Sequence, residues 1–343
     1  MFKIQNRIVS PSQPPLVIAE IGINHEGSLQ TAKEMVDAAH RAGVEVVKHQ
    51  THIVDDEMSG AARKVIPGNA DVSIYEIMER CALNEQDEWE LMQYVQSKGM
   101  IFISTPFSRA AADRLQRFDV PAFKIGSGEC NNHPLIHHIA AWGKPMIIST
   151  GMNDLESVRK TVNIVQSYGT PLALMHTTNL YPTPDHLVRL GAMQQMMREF
   201  PGIPIGLSDH TLGNEACYAA VALGACLLER HFTDHMSRLG PDIICSMDEQ
   251  SCAELIRNSK RIHSMLGGNK QAAQEEQVTI DFAFATVVTI KPLMAGETFN
   301  KENLWVKRPG TGPILAEHFD SIIGKKAKSD LPSDKHIDWN DIE

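Results

Sequence analysis

Two lysines stand near the ends of otherwise apolar runs: Lys48 in VEVVKHQ (44–50) and Lys124 in AFKIGS (122–127). A buried ammonium is costly unless an anion pairs with it. Each lysine therefore has two readings, one as a clamp for a bound phosphate or carboxylate, the other as the internal partner of Glu20, Glu129 or Glu229. Thr105, Ser127, Asn179 and Ser208 close or follow similar runs and supply neutral donors for the first reading. A third reading makes Lys124 the Schiff-base amine of an aldolase. His210 and His231 belong to two consecutive runs, IPIGLSD (203–209) with the residue after it, and ACLLERHF (225–232). Two neighbouring neutral imidazoles suit a divalent metal with open positions, loosely held and completed by water or substrate. His25, His49, His52 and His176 also lie near strand ends, where single histidines read as hydrogen-bonding residues.

The elements that must position these residues are eight short runs: 16–22, 44–50, 100–106, 122–127, 145–150, 171–177, 203–209 and 225–232. Each is almost continuously apolar until its last residues, as strands buried on both faces are. Amphipathic stretches such as SLQTAKEMVDAAHRAG separate them, several stopped by Gly. Eight strand–helix units over about 250 residues predict an α/β fold of the (β/α)8 TIM-barrel type, with a doubly wound open sheet as the rival. In such a barrel the active site lies at the C-terminal ends of the strands. The residues there are Glu20, Lys48, Gln50, Thr105, Lys124, Ser127, Glu129, Ser149, Thr150, His176, Asn179, Tyr181, Ser208, His210, Glu229 and His231. Lys48 and Gln50 share a face because side chains alternate along a strand. Polar residues at every strand end converge on one mouth, the pattern of a site rather than of a packed core.

The chain has 343 residues, which fits a barrel of residues 1–266, a polar linker over 267–281 and a small β-rich unit over 282–343. So small a unit is expected to bury little core alone. The second connection, 51–99, is long and reads as a binding loop or lid. With 32 basic and 42 acidic residues the net charge is −10, which argues against nucleic acid as a partner. No apolar run approaches the length of a membrane span, and the N-terminus lacks a signal-peptide core. Six scattered cysteines without a CxxC pair fit a reducing cytoplasm.

The stretch EIGINHEGSLQTAKEMVDAAHRAGVEVVKHQTH resembles the opening of the bacterial sialic acid synthases. ISTPFS, KIGSGECNN, STGM, TNLYPTP, GLSDHT and ERHFT resemble them in the same order, and FNKENLWVKRPGTG resembles their C-terminal antifreeze-like (SAF) domain. The resemblance spans essentially the whole chain. It implies a transferase that condenses phosphoenolpyruvate with N-acetylmannosamine and water, giving N-acetylneuraminate and phosphate. Relatives making legionaminic or pseudaminic acid from 6-deoxy aminosugars share the scaffold, although VEVVKHQTHIVDDEMS is most similar to the neuraminic acid branch. The resemblance also implies a divalent ion, Mn2+ or Mg2+, on His210 and His231. Phosphoenolpyruvate falls to Lys48, Thr105, Lys124, Ser127, Asn179 and Ser208, and the sugar to Glu20, Gln50, Glu129, Tyr181, Asp242 and Arg308. The condensation also needs a carboxylate near the aldehyde to handle protons as acid or base, Glu129 for preference with Glu20 competing, a choice the sequence leaves open. Arg308 is implied to come from the partner subunit of a domain-swapped homodimer. A lysine aldolase and a non-catalytic carbohydrate-binding module are the readings from other classes.

Overall fold

The computed structural model describes residues 2–67 and 71–343, and the chain divides into two compact units, Met1–Leu266 and Gly267–Glu343. In the first, eight parallel strands close into a barrel: β1 (Leu16–Gly22), β2 (Val46–Thr51), β3 (Ile101–Pro106), β4 (Phe123–Ile125), β5 (Met146–Ser149), β6 (Leu172–Thr177), β7 (Ile205–Asp209) and β8 (Leu227–His231). β8 pairs with β1 and every other strand with its successor, which excludes the open sheet. All eight apolar runs become strands. β4 is shorter than its run because the chain turns at Gly126 into a one-turn helix, Ser127–Glu129.

Alternation along the strands builds two apolar layers. Leu16, Ile18, Val46, Ile103, Ala122, Ile147, Ala173 and Leu227 point inward and fill the lower barrel. Val17, Ala19, Ile21, Val47, Phe102, Phe123, Ile148, Leu207 and Leu228 point outward against the helices. A hairpin of Phe2–Ile4 with Arg7–Val9 joins the inner cluster through Phe2, Ile4 and Val9. The core is therefore apolar from this hairpin upward, and the inward positions become polar only near the strands' C-terminal ends.

Local chemistry sets the connections. Ser28 caps the helix Leu29–Ala42, which Gly43 stops in the left-handed region at φ +85°. Asp154 and Asp248 cap Leu155–Ser167 and Glu249–His263 in the same way. The long second connection holds the helices Val54–Glu57, Ile74–Cys81 and Glu85–Ser97, and residues 68–70 of that expected loop lie outside the described residues.

The second unit pairs β9 (Thr286–Thr289) antiparallel with β10 (Leu304–Lys307). Contrary to the expectation of little core, it buries its own cluster of Val287, Leu293, Phe299, Leu304, Ile314, Ile322, Ala327, Leu331 and Ile337. Part of the expected linker is helical, over Gln277–Ala283, where Gln277 Nε2 donates to Asp281 Oδ1 one turn on. All six cysteines are buried and free, and no helix among the described residues is long and apolar enough to cross a membrane.

Candidate active site

The strand ends bring the two lysines to one carboxylate. Glu229 of β8 lies with Oε1 3.5 Å from Lys124 Nζ and 3.8 Å from Lys48 Nζ, and accepts from Ser208 Oγ at 3.0 Å. Lys48 is closest to Glu20, at 2.6 Å, and donates to Thr105 Oγ1 at 3.2 Å. Lys124 donates to Ser149 Oγ at 2.7 Å. Gln50 Nε2 donates to Glu20 Oε1 at 2.8 Å, completing a layer drawn from seven of the eight strands. Both ammoniums are almost inaccessible, with side-chain exposures of 5% and 3%. The internal-partner reading thus holds for both lysines, with Glu20 and Glu229 as partners but not Glu129.

Burial works against every charge here, and the neighbours decide the outcome. Burial alone would raise the Glu229 carboxyl, but Lys124 and Lys48 hold it well below the usual carboxylate range. Burial lowers Lys124 to about 8. Lys48 is raised, because Glu20 and Glu229 outweigh its burial. Glu20 is pushed upward by burial against the pull of Lys48. Two carboxylate oxygens, Glu20 Oε2 and Glu229 Oε2, are buried without a hydrogen-bond partner. Two ammoniums and two carboxylates in this dry layer balance one another, and Glu20, raised by burial, is the carboxylate most readily neutralised by a proton, which would free positive charge for an incoming anion.

Beside them, Ser127 Oγ accepts from Gly151 N at 3.0 Å, and Asn179 Nδ2 donates to Tyr181 Oη at 3.3 Å. A Cβ at Gly151 would lie 1.8 Å from Asn179 Oδ1 and 2.9 Å from Ser127 Oγ. Gly151, in the STGM motif, is a spacing residue that a reading by side-chain chemistry passes over. Glu129 is half-buried at the rim, accepts from Asn132 Nδ2 at 2.7 Å, and is raised by burial. A cleft of about 600 Å³ opens beside it, lined by Glu57, Met58, Phe107 and Arg109 among others.

His210 and His231 face each other across β7 and β8, with ring centroids 5.4 Å apart and Tyr181 4.2 Å from His210. Burial lowers both, His210 to about 4 and His231 to about 3, so both are neutral at pH 7. His210 Nδ1 lies 2.8 Å from the Thr178 carbonyl, which can only accept, so Nδ1 carries the proton and Nε2 keeps its lone pair. His231 Nδ1 is buried without a hydrogen-bond partner, 3.7 Å from Asp242 Oδ2. Burial raises the Asp242 carboxyl to about 6. Among the described residues no group of three or more His, Cys, Asp or Glu is arranged to hold a metal. Two neutral imidazoles with an orphaned nitrogen fit a divalent ion that is weakly held and open to substrate.

Other expected residues fall elsewhere. His176 points outward and bonds the Val188 carbonyl at 2.7 Å. His25, His49 and His52 are all buried and hydrogen-bonded. Arg308 stands exposed in the second unit, directly after β10. Glu229 is the residue that reading for substrate contacts undervalues. Named from the sequence as a possible partner of the lysines, it is shown by the closed barrel to be shared by both of them and by Ser208.

Known proteins resemble this chain along most of its length. Residues 35–271 match the NeuB family and residues 284–343 the SAF domain. The chain is 36% identical to the N,N'-diacetyllegionaminic acid synthase of Legionella pneumophila, covering 95% of this chain and 94% of that one. It is 30% identical to the N-acetylneuraminate-9-phosphate synthase of Mus musculus, covering 98% and 95%. The crystal structure of the N-acetylneuraminic acid synthetase from Leptospira borgpetersenii, in complex with citrate, superposes with a TM-score of 0.75 at 27% identity, over 81% of this chain and 94% of that one. With its barrel matched by the NeuB family model and the unit after it by the SAF domain, this chain belongs to the NeuB family.

Proposed function

We propose that this chain is a synthase that condenses phosphoenolpyruvate with the open-chain form of an N-acetylated aminosugar, N-acetylmannosamine first, releasing phosphate and a nine-carbon 2-keto sugar acid. The observation that carries this reading is the pair Lys48 and Lys124 gathered on Glu229 in the same mouth as His210 and His231. The two ammoniums meet the phosphate and carboxylate of phosphoenolpyruvate, with Thr105, Ser127, Asn179 and Ser208 as neutral donors. C3 of phosphoenolpyruvate attacks the aldehyde carbon, and Glu129 gives a proton to the aldehyde oxygen as it becomes a hydroxyl. Burial raises Glu129 and leaves one of its oxygens free of Asn132, whereas Glu20 is held by Lys48 and Gln50. Water adds at C2, its proton restores Glu129, and the tetrahedral intermediate expels phosphate by C–O cleavage. A divalent ion, Mn2+ or Mg2+, bound by His210 and His231 would supply Lewis acidity toward the aldehyde oxygen. Gln50, Tyr181 and Asp242 face the sugar.

Higher identity to a legionaminic acid synthase (36%) than to the N-acetylneuraminate-9-phosphate synthase (30%) favours a second acceptor, a 6-deoxy diacetamido sugar. Exposed Met152, Leu180, Leu212 and Leu239, on the loops after β5, β6, β7 and β8, support a homodimer that covers the mouth and brings in the partner's copy of Arg308. The test is phosphate release over a panel of aminosugars with phosphoenolpyruvate and Mn2+. Release that needs both substrates and stops with a chelator is expected. Release without an aminosugar, or covalent trapping of Lys124 by borohydride, contradicts the synthase.

A further inference from the structure

The ladder joining β7 to β8 sorts its pairs by face. Ser208 and Glu229 are register partners, as are Asp209 and Arg230. Ser208 and Glu229 bond inside the barrel, so Asp209 and Arg230 lie on its outer face, 2% and 1% exposed. Arg230 is the largest fully buried side chain of the described residues. Its NH1 donates to Asn214 Oδ1 at 2.6 Å, its NH2 to the Thr211 carbonyl at 2.6 Å, and its Nε lies 3.4 Å from Asp209 Oδ2. Asp209 in turn accepts from Thr211 N at 3.1 Å and from Thr211 Oγ1 at 2.8 Å.

All of these contacts land on the turn 209–214, which carries His210, while the residue after Arg230 on β8 is His231. One strand thus presents His231 to the mouth and, from the preceding residue, grips the turn that presents His210. We propose that Arg230, with Asp209, is a positioning pair that fixes the spacing of the two imidazoles and so sets the affinity of the mouth for a divalent cation. The proposal rests on reading His210 and His231 as metal ligands. Its physical basis is that a two-ligand site has no third protein group to compensate for a displaced imidazole, and outer partners that orient ligands shift metal affinity by about 10–100-fold. Lys48 and Lys124, the two cations proposed for phosphoenolpyruvate, lie on β2 and β4, and of its neutral donors only Ser208 adjoins this turn, so loosening the turn weakens phosphoenolpyruvate binding far less than Mn2+ binding.

The test is Mn2+ binding to the full chain, followed by the electron paramagnetic resonance of free Mn2+. Wild type, Arg230→Lys and Asn214→Ala are compared, with circular dichroism to verify folding and calorimetric binding of phosphoenolpyruvate without metal in the same samples. Asn214→Ala removes one partner of Arg230 and leaves no buried charge unpaired, so it decides alone if Arg230→Lys does not fold. The expected result is Mn2+ affinity weakened tenfold or more in Arg230→Lys and less in Asn214→Ala, with phosphoenolpyruvate affinity lowered far less than Mn2+ affinity in each variant. Folded variants that bind Mn2+ as wild type does, or that lose phosphoenolpyruvate affinity in equal measure, overturn the positioning role and leave the metal reading intact. A wild type that binds no Mn2+ removes both together.

Discussion

Gly151 has no side chain because its Cβ would lie 1.8 Å from Asn179 Oδ1. Gly151→Ala must push Asn179 and Ser127 apart, and a displacement of about 1 Å in a positioned group costs on the order of 10²-fold in rate. Steady-state kinetics of Gly151→Ala should show that loss in kcat/KM for phosphoenolpyruvate, and wild-type kinetics would remove Asn179 and Ser127 from its site. Lys48→Met and Lys124→Met should each cost about 2–4 kcal/mol in kcat/KM for phosphoenolpyruvate. Kinetics unchanged in both variants would rule out the anion clamp. The lysines were legible from sequence because a charge in an apolar run is conspicuous. Glu229 was legible as one of three candidate partners, but not which of Glu20, Glu129 and Glu229 pairs with which lysine, since the contacts join strands β2, β4 and β8 across the barrel.

At the scale of elements, the layer is supported from outside by a second buried network. His49 on β2 points away from the mouth, with Nδ1 3.1 Å from Glu88 Oε1 on the helix Glu85–Ser97, and its Nε2 lies 3.2 Å from His25 Nε2. Glu88, fully buried, also accepts from Thr51 and from Arg114 NH1 at 3.0 Å. Glu88→Ala leaves the buried Arg114 with only the half-exposed Glu85 carboxylate at 3.9 Å and should destabilise the fold by about 3–5 kcal/mol in chemical denaturation. A loss under about 1 kcal/mol would show that Arg114 finds water or another partner. Burial and the neighbouring His49 lower His25 to about 3 from 6.5. Below pH 6.5 the unfolded chain therefore binds a proton that the folded chain refuses, and stability falls as the pH is lowered from about 6.5 toward 3. Between pH 6.5 and 5 this one group accounts for about 2 kcal/mol. Urea midpoints of His25→Gln should fall less over that interval than those of wild type, and equal slopes would refute the assignment. The eight strands were legible because burial on both faces makes them apolar. The Glu88 network left a weaker trace, an acid one turn before Leu91 and Met92 on the buried face of its helix. The N-terminal hairpin left almost none, its strands being three residues each.

For the whole molecule, the second unit carries its own core, so Arg308 sits on a body able to hold it in place. The proposed role of that arginine belongs to the dimer. Mixing Lys48→Met with Arg308→Ala under conditions of subunit exchange should restore activity toward roughly half the wild-type rate per mixed dimer, because one site then carries both lesions and the other neither. If exchange is demonstrated and no activity returns, the arginine serves its own subunit. This role was legible only through resemblance, since nothing in the residues around VKRPG distinguishes a substrate-binding arginine from a surface one.

The central claim is that the mouth breaks the C–O bond of phosphoenolpyruvate while joining it to an aminosugar. Phosphoenolpyruvate labelled with 18O in its bridging oxygen tests it directly, read by 31P NMR of the phosphate released in the presence of N-acetylmannosamine and of the 6-deoxy diacetamido sugar. The account predicts one phosphate per sugar acid formed, carrying the label. Unlabelled phosphate would mean that the P–O bond breaks instead, and would contradict the mechanism drawn from this site.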